Sequence, residues 1–323
     1  MQRLKILCFW ALAIITLGSC EQISQTKTFY LAHTLPTTHP VHLGMVDFQE
    51  LVAQNSNGKL AVKIFPDGQL GSEREMLELL QIGSVAMTKV SAAVMASFSP
   101  EYEILGVPYL FRDRTHLFEV LEGEIGESLL NSSRTYLLQG LCFYDAGSRS
   151  FYTTKKAIRT PKDLKGLKIR VMNHQMSVDM VNAMGGSATP MAYGELYTAL
   201  QQGVMDGAEN NPPSFVSSNH FEVCKYYTLD EHTSIPDVLV VGTKFWDNLT
   251  EEEKGWVKDA AMRSVASQKQ YWQASVEDCM AKLDEAGVEV IIPDKSLFSE
   301  KTEKVLNKFS QDPKMKALID AIQ

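Results

Sequence analysis

Cysteine is scarce in this sequence, with five in 323 residues. Cys8 and Cys20 fall in the first twenty positions, which leaves Cys142, Cys224 and Cys279 for the body of the chain. An odd number at wide spacing is no disulfide framework. One bridge or three small buried hydrophobes both fit, and the second is the commoner use of such residues. Basic residues are also few. Lys and Arg total 31 against 39 Asp and Glu, a net charge of −8. That balance argues against general nucleic-acid affinity and a basic membrane patch, but not against a local positive pocket. Long apolar runs are missing except at the start, where Ile6 to Leu17 is too short to span a bilayer as a helix. Catalytic signatures are missing too. There is no Gly-x-Ser-x-Gly elbow, no phosphate loop of the Gly-Lys-Ser type and no Gly-x-Gly-x-x-Gly after a strand. The seven histidines cluster only at His33, His39 and His42, without the further ligands that a metal needs. Neither an enzyme nor a cofactor is expected.

What is present begins with a leader. Arg3 and Lys5 precede the apolar run, and Leu17-Gly18-Ser19-Cys20 closes it. Residues 1–19 read as an export signal outside the fold. A cysteine directly after small residues matches a bacterial lipobox, with Cys20 as the lipidated N-terminus of a periplasmic protein. An ordinary signal with an incidental Cys20 is the other reading. The lipobox is preferred because cleavage signals rarely place a cysteine there.

The next residues alternate strand and helix signals. Thr28 to Ala32 is a short apolar strand ending at His33. His39 to Ala53 carries Val41, Met45, Phe48 and Leu51 at helical spacing. Leu60 to Phe65 is a second strand, and a capping box, Ser72 with Glu75, opens a helix through Leu80. Val85 to Val90 is a third strand. This order predicts a parallel sheet with right-handed crossovers. Residues 100–140 read as mostly helical. Strands follow at Leu138 to Tyr144, Arg149 to Thr154 and Leu167 to Val171, with helices at Ser177 to Met184 and Tyr193 to Gln202. Thr250 and Glu253 cap a helix running from Glu251 to Ala286, interrupted by no proline and only Gly255. At about 1.5 Å per residue it reaches roughly 50 Å, longer than one domain of this size needs. It reads as a strut across two domains. A strand at Val288 to Ile292 and a helix close the chain.

The chemistry-bearing stretch runs from Arg149 to Asn210. Leu167, Ile169 and Val171 alternate with Lys168 and Arg170, so Arg170 leaves the apolar face near its strand's carboxyl end, where open α/β sheets place their ligand crevice. Arg149 starts its own strand beside Gly147. Two guanidinium forks suit a carboxylate, whose two oxygens each accept. Solvated strand charges are the competing reading.

Further runs carry a resemblance. They are Phe65-Pro66-Asp67-Gly68-Gln69-Leu70-Gly71, Gly106-Val107-Pro108-Tyr109-Leu110-Phe111, Gly166-Leu167-Lys168-Ile169-Arg170-Val171, Pro190 to Gln201, and Val204-Met205-Asp206-Gly207-Ala208-Glu209-Asn210. With them nearly the whole mature chain resembles the substrate-binding proteins of TRAP transporters, the DctP family. The resemblance implies a two-lobed α/β periplasmic binding protein with a long helix spanning both lobes, closing on an organic acid. The lobes are expected at residues 27–146 plus 236–270 and 147–235 plus 271–323, with helix 250–286 crossing both. It also implies delivery to the small and large membrane subunits of a TRAP permease. By the same resemblance Arg170 is the principal carboxylate-binding arginine, Arg149 the second, and Asn210 the completing amide. Tyr193 stands where a ring lies against the ligand, and Asn173 where a polar side chain reaches it. The run Glu209-Asn210-Asn211-Pro212-Pro213-Ser214-Phe215 with Leu229-Asp230-Glu231-His232 is similar to the subset that binds glucuronate and galacturonate, and it adds Asn211. That subset also offers an acidic residue at Glu73, with His33 as a neighbour. A helix-starting carboxylate for Glu73 and a packed histidine for His33 remain open. A C4-dicarboxylate or keto acid is the rival ligand, and a sensing subunit for a membrane receptor is the rival role.

Overall fold

Two sheets carry the chain. The computed structural model describes residues 26–323, so the leader and Cys20 lie outside the described residues. The strands are β1 (Lys27–Ala32), β2 (Leu60–Phe65), β3 (Met87–Ser91), β4 (Leu138–Tyr144), β5 (Arg149–Thr153), β6 (Lys168–Val171), β7 (Ser187–Pro190), β8 (Gly207–Asn210), β9 (Tyr226–Thr233), β10 (Asp237–Gly242) and β11 (Glu289–Ile291). The first sheet has the order β2-β1-β3-β10-β4, and the second β11-β9-β5-β8-β6-β7.

The parallel pairing expected of the first three strands is present in β1, β2 and β3, and β6 also runs parallel to β7 and β8, and β11 to β9. β10 runs antiparallel between β3 and β4. In the second sheet β5 is antiparallel to both β8 and β9. The physical reason is that the chain crosses between sheets without a helical crossover. The short connectors after β4 and after β9 send the following strand into the other sheet. Residues 187–190 and 226–242, which the sequence pattern leaves unassigned, supply β7, β9 and β10.

Local rules account for the helices. His39 caps the helix Pro40–Asn55, accepting from the Val41 N–H, and proline follows at the first helical position. Ser72 and Glu75 form the full capping box of helix Glu73–Ile82, which ends at Gly83 in the left-handed region. The long helix is Glu251–Glu285, 35 residues, opened by the Thr250–Glu253 capping box. It packs on helix Pro40–Asn55 and β4 at one end and on helix Pro212–Ser217 and β11 at the other. No helix among the described residues is long and apolar enough to cross a membrane.

The lobes share four links: the connector 145–148, the connector 234–236, the long helix and the segment 310–312 before the last helix. Ser148 and Ser234 hydroxyls hydrogen-bond at 3.0 Å, tying the two connectors. Gln268 of the long helix is fully buried and grips Asp145 from both sides. It accepts from the Asp145 N–H and donates to its C=O, each at 2.8 Å. The end of the chain departs from expectation. Helix Lys295–Phe309 packs against helix Gln175–Met184 of the second lobe, but the last helix, Pro313–Ile322, returns to Pro100–Gly106. There Ile319 and Ile322 join the first-lobe core with Tyr102 and Leu105, so residues 271–323 do not all stay with the second lobe. The return buries two apolar side chains one turn apart, Ile319 and Ile322.

Candidate ligand-binding cleft

A cleft of about 360 Å³ lies between the lobes. Its walls include seven of the eight expected ligand residues: Arg170, Arg149, Asn210, Asn211, Tyr193, Asn173 and Glu73. His33 does not reach it. That ring is fully buried; Nδ1 accepts the Leu35 N–H at 3.2 Å and Nε2 pairs with His42 Nδ1 at 2.9 Å. Burial, with Lys89 nearby, holds its pKa down at about 2, so it stays neutral. Both nitrogens are committed to the protein, which is why it offers a ligand nothing.

The two arginines differ in what they have left to give. Arg149 Nε donates to Glu209 Oε2 at 2.5 Å, and one Nη donates to Glu209 Oε1 and to its backbone C=O. The other donates to Asn210 Oδ1 at 2.8 Å. Four of five N–H groups are used, and Glu209 cancels the charge. Behind this pair stands a buried chain. His232 lies between Asp230, at 2.8 Å, and Glu209, at 3.4 Å. Burial works against the charged imidazole, but the two carboxylates raise its pKa to about 9. Burial likewise works to raise Glu209, yet Arg149 and His232 bring it down to about 2. Arg149, Glu209, His232 and Asp230 thus sum to no net charge when all are ionised.

Arg170 has no such partner. Its Nε and one Nη both donate to the Met191 C=O, at 2.9 and 2.7 Å. Three N–H groups remain, and among the described residues no carboxylate lies within ion-pair distance. Only 3% of the residue is exposed, and burial lowers its pKa from the ordinary arginine value. The Tyr193 ring centroid lies 5.6 Å from its guanidinium carbon, which steadies the plane of the fork. Tyr193 is itself held through its hydroxyl by Ser218 Oγ at 2.7 Å and the Ser214 C=O at 3.2 Å. A buried cation with open donors beside a cleft is suited to an anion. Asn210 adds to it. Its Oδ1 is taken by Arg149 and the Asn211 N–H, and its amide NH2 has no partner among the described residues. Asn211 is spent: it donates to the Ala146 C=O and caps helix Pro212–Ser217. Asn173 projects an exposed side chain, with its backbone C=O accepting from Ser97 of the first lobe.

The opposite wall was only partly legible. Glu73 is there, but its partner is Lys89, whose Nζ donates to Glu73 Oε1 at 3.0 Å and to Asp237 Oδ2 at 3.2 Å. Lys89 is 2% exposed and pairs in register with Leu239, two residues from Asp237. Two carboxylates share one ammonium. Burial and Glu73 push the Asp237 pKa up while Lys89 pulls it back. The sequence signal was a lysine inside the apolar run Val85 to Val90. Nothing pointed from it to Asp237, because β10 is the strand that the pattern missed. Ser214, also on the wall, lies in the run Glu209 to Phe215, where no local pattern gives it a role. The arrangement offers donors to an anion at one end and hydroxyl acceptors plus one ammonium N–H at the other. Among the described residues of the cleft wall no nucleophile is activated by a base.

Comparisons with known proteins agree with this architecture. The family described as bacterial extracellular solute-binding protein, family 7 (DctP), matches residues 31–312. A solute-binding protein of Chromohalobacter salexigens is 34% identical over 290 residues, 89% of this chain and 86% of that one. A TRAP periplasmic solute-binding protein from Bradyrhizobium sp., solved in complex with α/β-D-galacturonate, superposes with a TM-score of 0.90 at 39% identity. It covers 92% of this chain and 99% of its own. One from Anaerococcus prevotii, solved with bound α/β-D-glucuronate, has a TM-score of 0.90 at 35% identity, covering 92% and 97%.

Proposed function

The chain belongs to the DctP family of extracellular solute-binding proteins, which serve TRAP transporters and are not enzymes, and from that premise we propose that its cleft captures a hexuronate, D-glucuronate or D-galacturonate. The observation that carries this reading is the contrast between the two ends of the cleft. Arg170 is a buried cation with three open donors, suited to one carboxylate. At the other end Glu73 and Asp237 already share Lys89. When both are ionised that end carries one excess negative charge. It repels a second carboxylate and accepts from hydroxyls. A polyhydroxylated monocarboxylate matches both ends, whereas a C4-dicarboxylate matches one. The uronates bound by the structural relatives support the same class.

In this reading the carboxylate pairs with Arg170, the free amide of Asn210 and the remaining N–H of Arg149. Tyr193 and Asn173 flank the ligand, and Glu73, Lys89 and Asp237 take its hydroxyls. The ligand touches both lobes, so it favours the closed arrangement by its differential contacts. The closed protein then delivers its cargo in the periplasm to the two membrane subunits of the permease, tethered through a lipidated Cys20.

Titration calorimetry with D-glucuronate, D-galacturonate and succinate tests this. A uronate should bind at least ~100-fold more tightly than succinate, a gap of about 2.7 kcal/mol. Arg170→Ala should abolish measurable binding, since stranding one side of a buried ion pair costs about 3–5 kcal/mol. Glu73→Gln should weaken uronate binding more than succinate binding. Succinate binding more tightly than either uronate would overturn the assignment.

A further inference from the structure

A hydrogen bond between the lobes determines where one proton at the cleft wall points. Ser214 belongs to the second lobe and lines the cleft. Its N–H donates to Asn211 Oδ1 at 2.8 Å and its C=O accepts from Tyr193. Its Oγ lies 3.1 Å from Nε2 of His39, which belongs to the first lobe. Both residues are buried, at 4% and 1% exposure.

The tautomer of His39 follows from its other nitrogen. Nδ1 accepts the Val41 N–H at 3.2 Å, the capping bond of helix Pro40–Asn55. A hydrogen on Nδ1 would face that N–H donor to donor. The hydrogen of the neutral ring is therefore on Nε2, and Nε2 donates to Ser214 Oγ. Burial, with Lys89 nearby, holds the ring well below the ordinary histidine pKa and so neutral. Ser214 accepts from His39, its own hydroxyl hydrogen has no acceptor among the described residues, and the residue lies on the cleft wall.

We propose that Ser214 is a further ligand-binding residue, donating its hydroxyl hydrogen to an oxygen of the bound acid, and that His39 is the positioning residue that orients it. The proposal rests on the sugar-acid reading of the cleft and deepens it. The donor is oriented only while the two lobes meet. His39 and Ser214 thus make one contact with the ligand conditional on closure.

The substitutions that test this separate orientation from folding. His39→Asn keeps a capping oxygen in the place of Nδ1, since asparagine is a strong N-cap, but has no atom in the place of Nε2. Ser214→Ala removes the donor. Each should weaken binding of the preferred uronate about tenfold, the usual worth of one good hydrogen bond to a charged or polar ligand. The double variant should be no more than about twofold worse than either single one, because both act on one bond. Unfolding midpoints without ligand should stay close to wild type. Nitrogen NMR of the His39 ring should show the Nε2–H tautomer. Three results would overturn the proposal: Ser214→Ala binding within twofold of wild type, losses that multiply in the double variant, or an Nδ1–H ring. Wild-type protein that binds no sugar acid would instead remove the underlying reading, a result distinct from these three.

Discussion

Arg149 and Arg170 line one cleft, yet removing them should have opposite effects on the empty protein. Arg149 is bound on one side to Glu209, which the fold has buried at 1% exposure. Arg149→Ala strands that carboxylate, and the expected loss of stability is about 3–5 kcal/mol. Arg170 is a desolvated cation that the protein does not neutralise. Arg170→Ala should leave stability unchanged or raise it while abolishing binding. Thermal unfolding of both variants without ligand checks this, and equal destabilisation would contradict it. Part of this difference was legible in sequence. Strand alternation turned Arg170 away from the apolar face, and Arg149 stood beside a glycine turn. What alternation cannot tell is which arginine is already paired. Glu209 reaches Arg149 because β8 lies next to β5, a neighbour relation that no local pattern encodes. Lys89 and Asp237 were hidden for the same reason.

Elements meet across the cleft through a few close approaches, and Gly106 is one. It ends the turn Pro100–Gly106, and a Cβ built on it would lie 2.5 Å from His174 Cε1 of the second lobe. His174 is buried at the N-cap position of helix Gln175–Met184, and its ring is tied through Nδ1 to Ser177 Oγ at 3.2 Å, so it has little room to retreat. Gly106→Ala should hold the lobes apart and weaken uronate binding about tenfold, in line with an overpacking cost of about 1–3 kcal/mol. Gly255 gives the opposite case. It sits exposed in the long helix with no neighbour in reach of a Cβ. Gly255→Ala should therefore raise stability by about 0.5–1 kcal/mol without touching affinity. Calorimetry and urea unfolding of both variants separate the two effects. The long helix itself was the most legible element, because a capping box and an unbroken run of helix formers are local signals. The return of Pro313–Ile322 to the first lobe was not, since an amphipathic helix does not say which core it will cover.

Over the whole molecule, buried histidines should shape stability against pH. His33, His174 and His220 have pKa values lowered, chiefly by burial, to about 2, 4 and 3. Below about pH 6.5 the unfolded chain binds protons that these rings refuse, so stability falls as pH falls. Each proton adds about 1.4 kcal/mol per pH unit to that slope. His232 acts in the other direction. Its folded pKa of about 9 lies above the unfolded value, so its contribution is full below about pH 6.5 and is lost as pH rises to 9. Stability should peak near pH 6.5. Urea unfolding at pH 5, 6.5 and 8.5 measures this, and His220→Gln should reduce the acid-side slope by about one proton.

The insertion of β10 between β3 and β4 also orders events in time. Its residues, Asp237–Gly242, leave the ribosome after every second-lobe strand from β5 to β9. Until they arrive, β4 has no neighbour in its own sheet. The lobe that begins the chain is therefore completed after most of the lobe that follows it. A truncation between residues 233 and 237 would keep β5 to β9 of the later lobe but leave the earlier one with an open seam and a stranded edge, the state in which chains of this size are most exposed to aggregation.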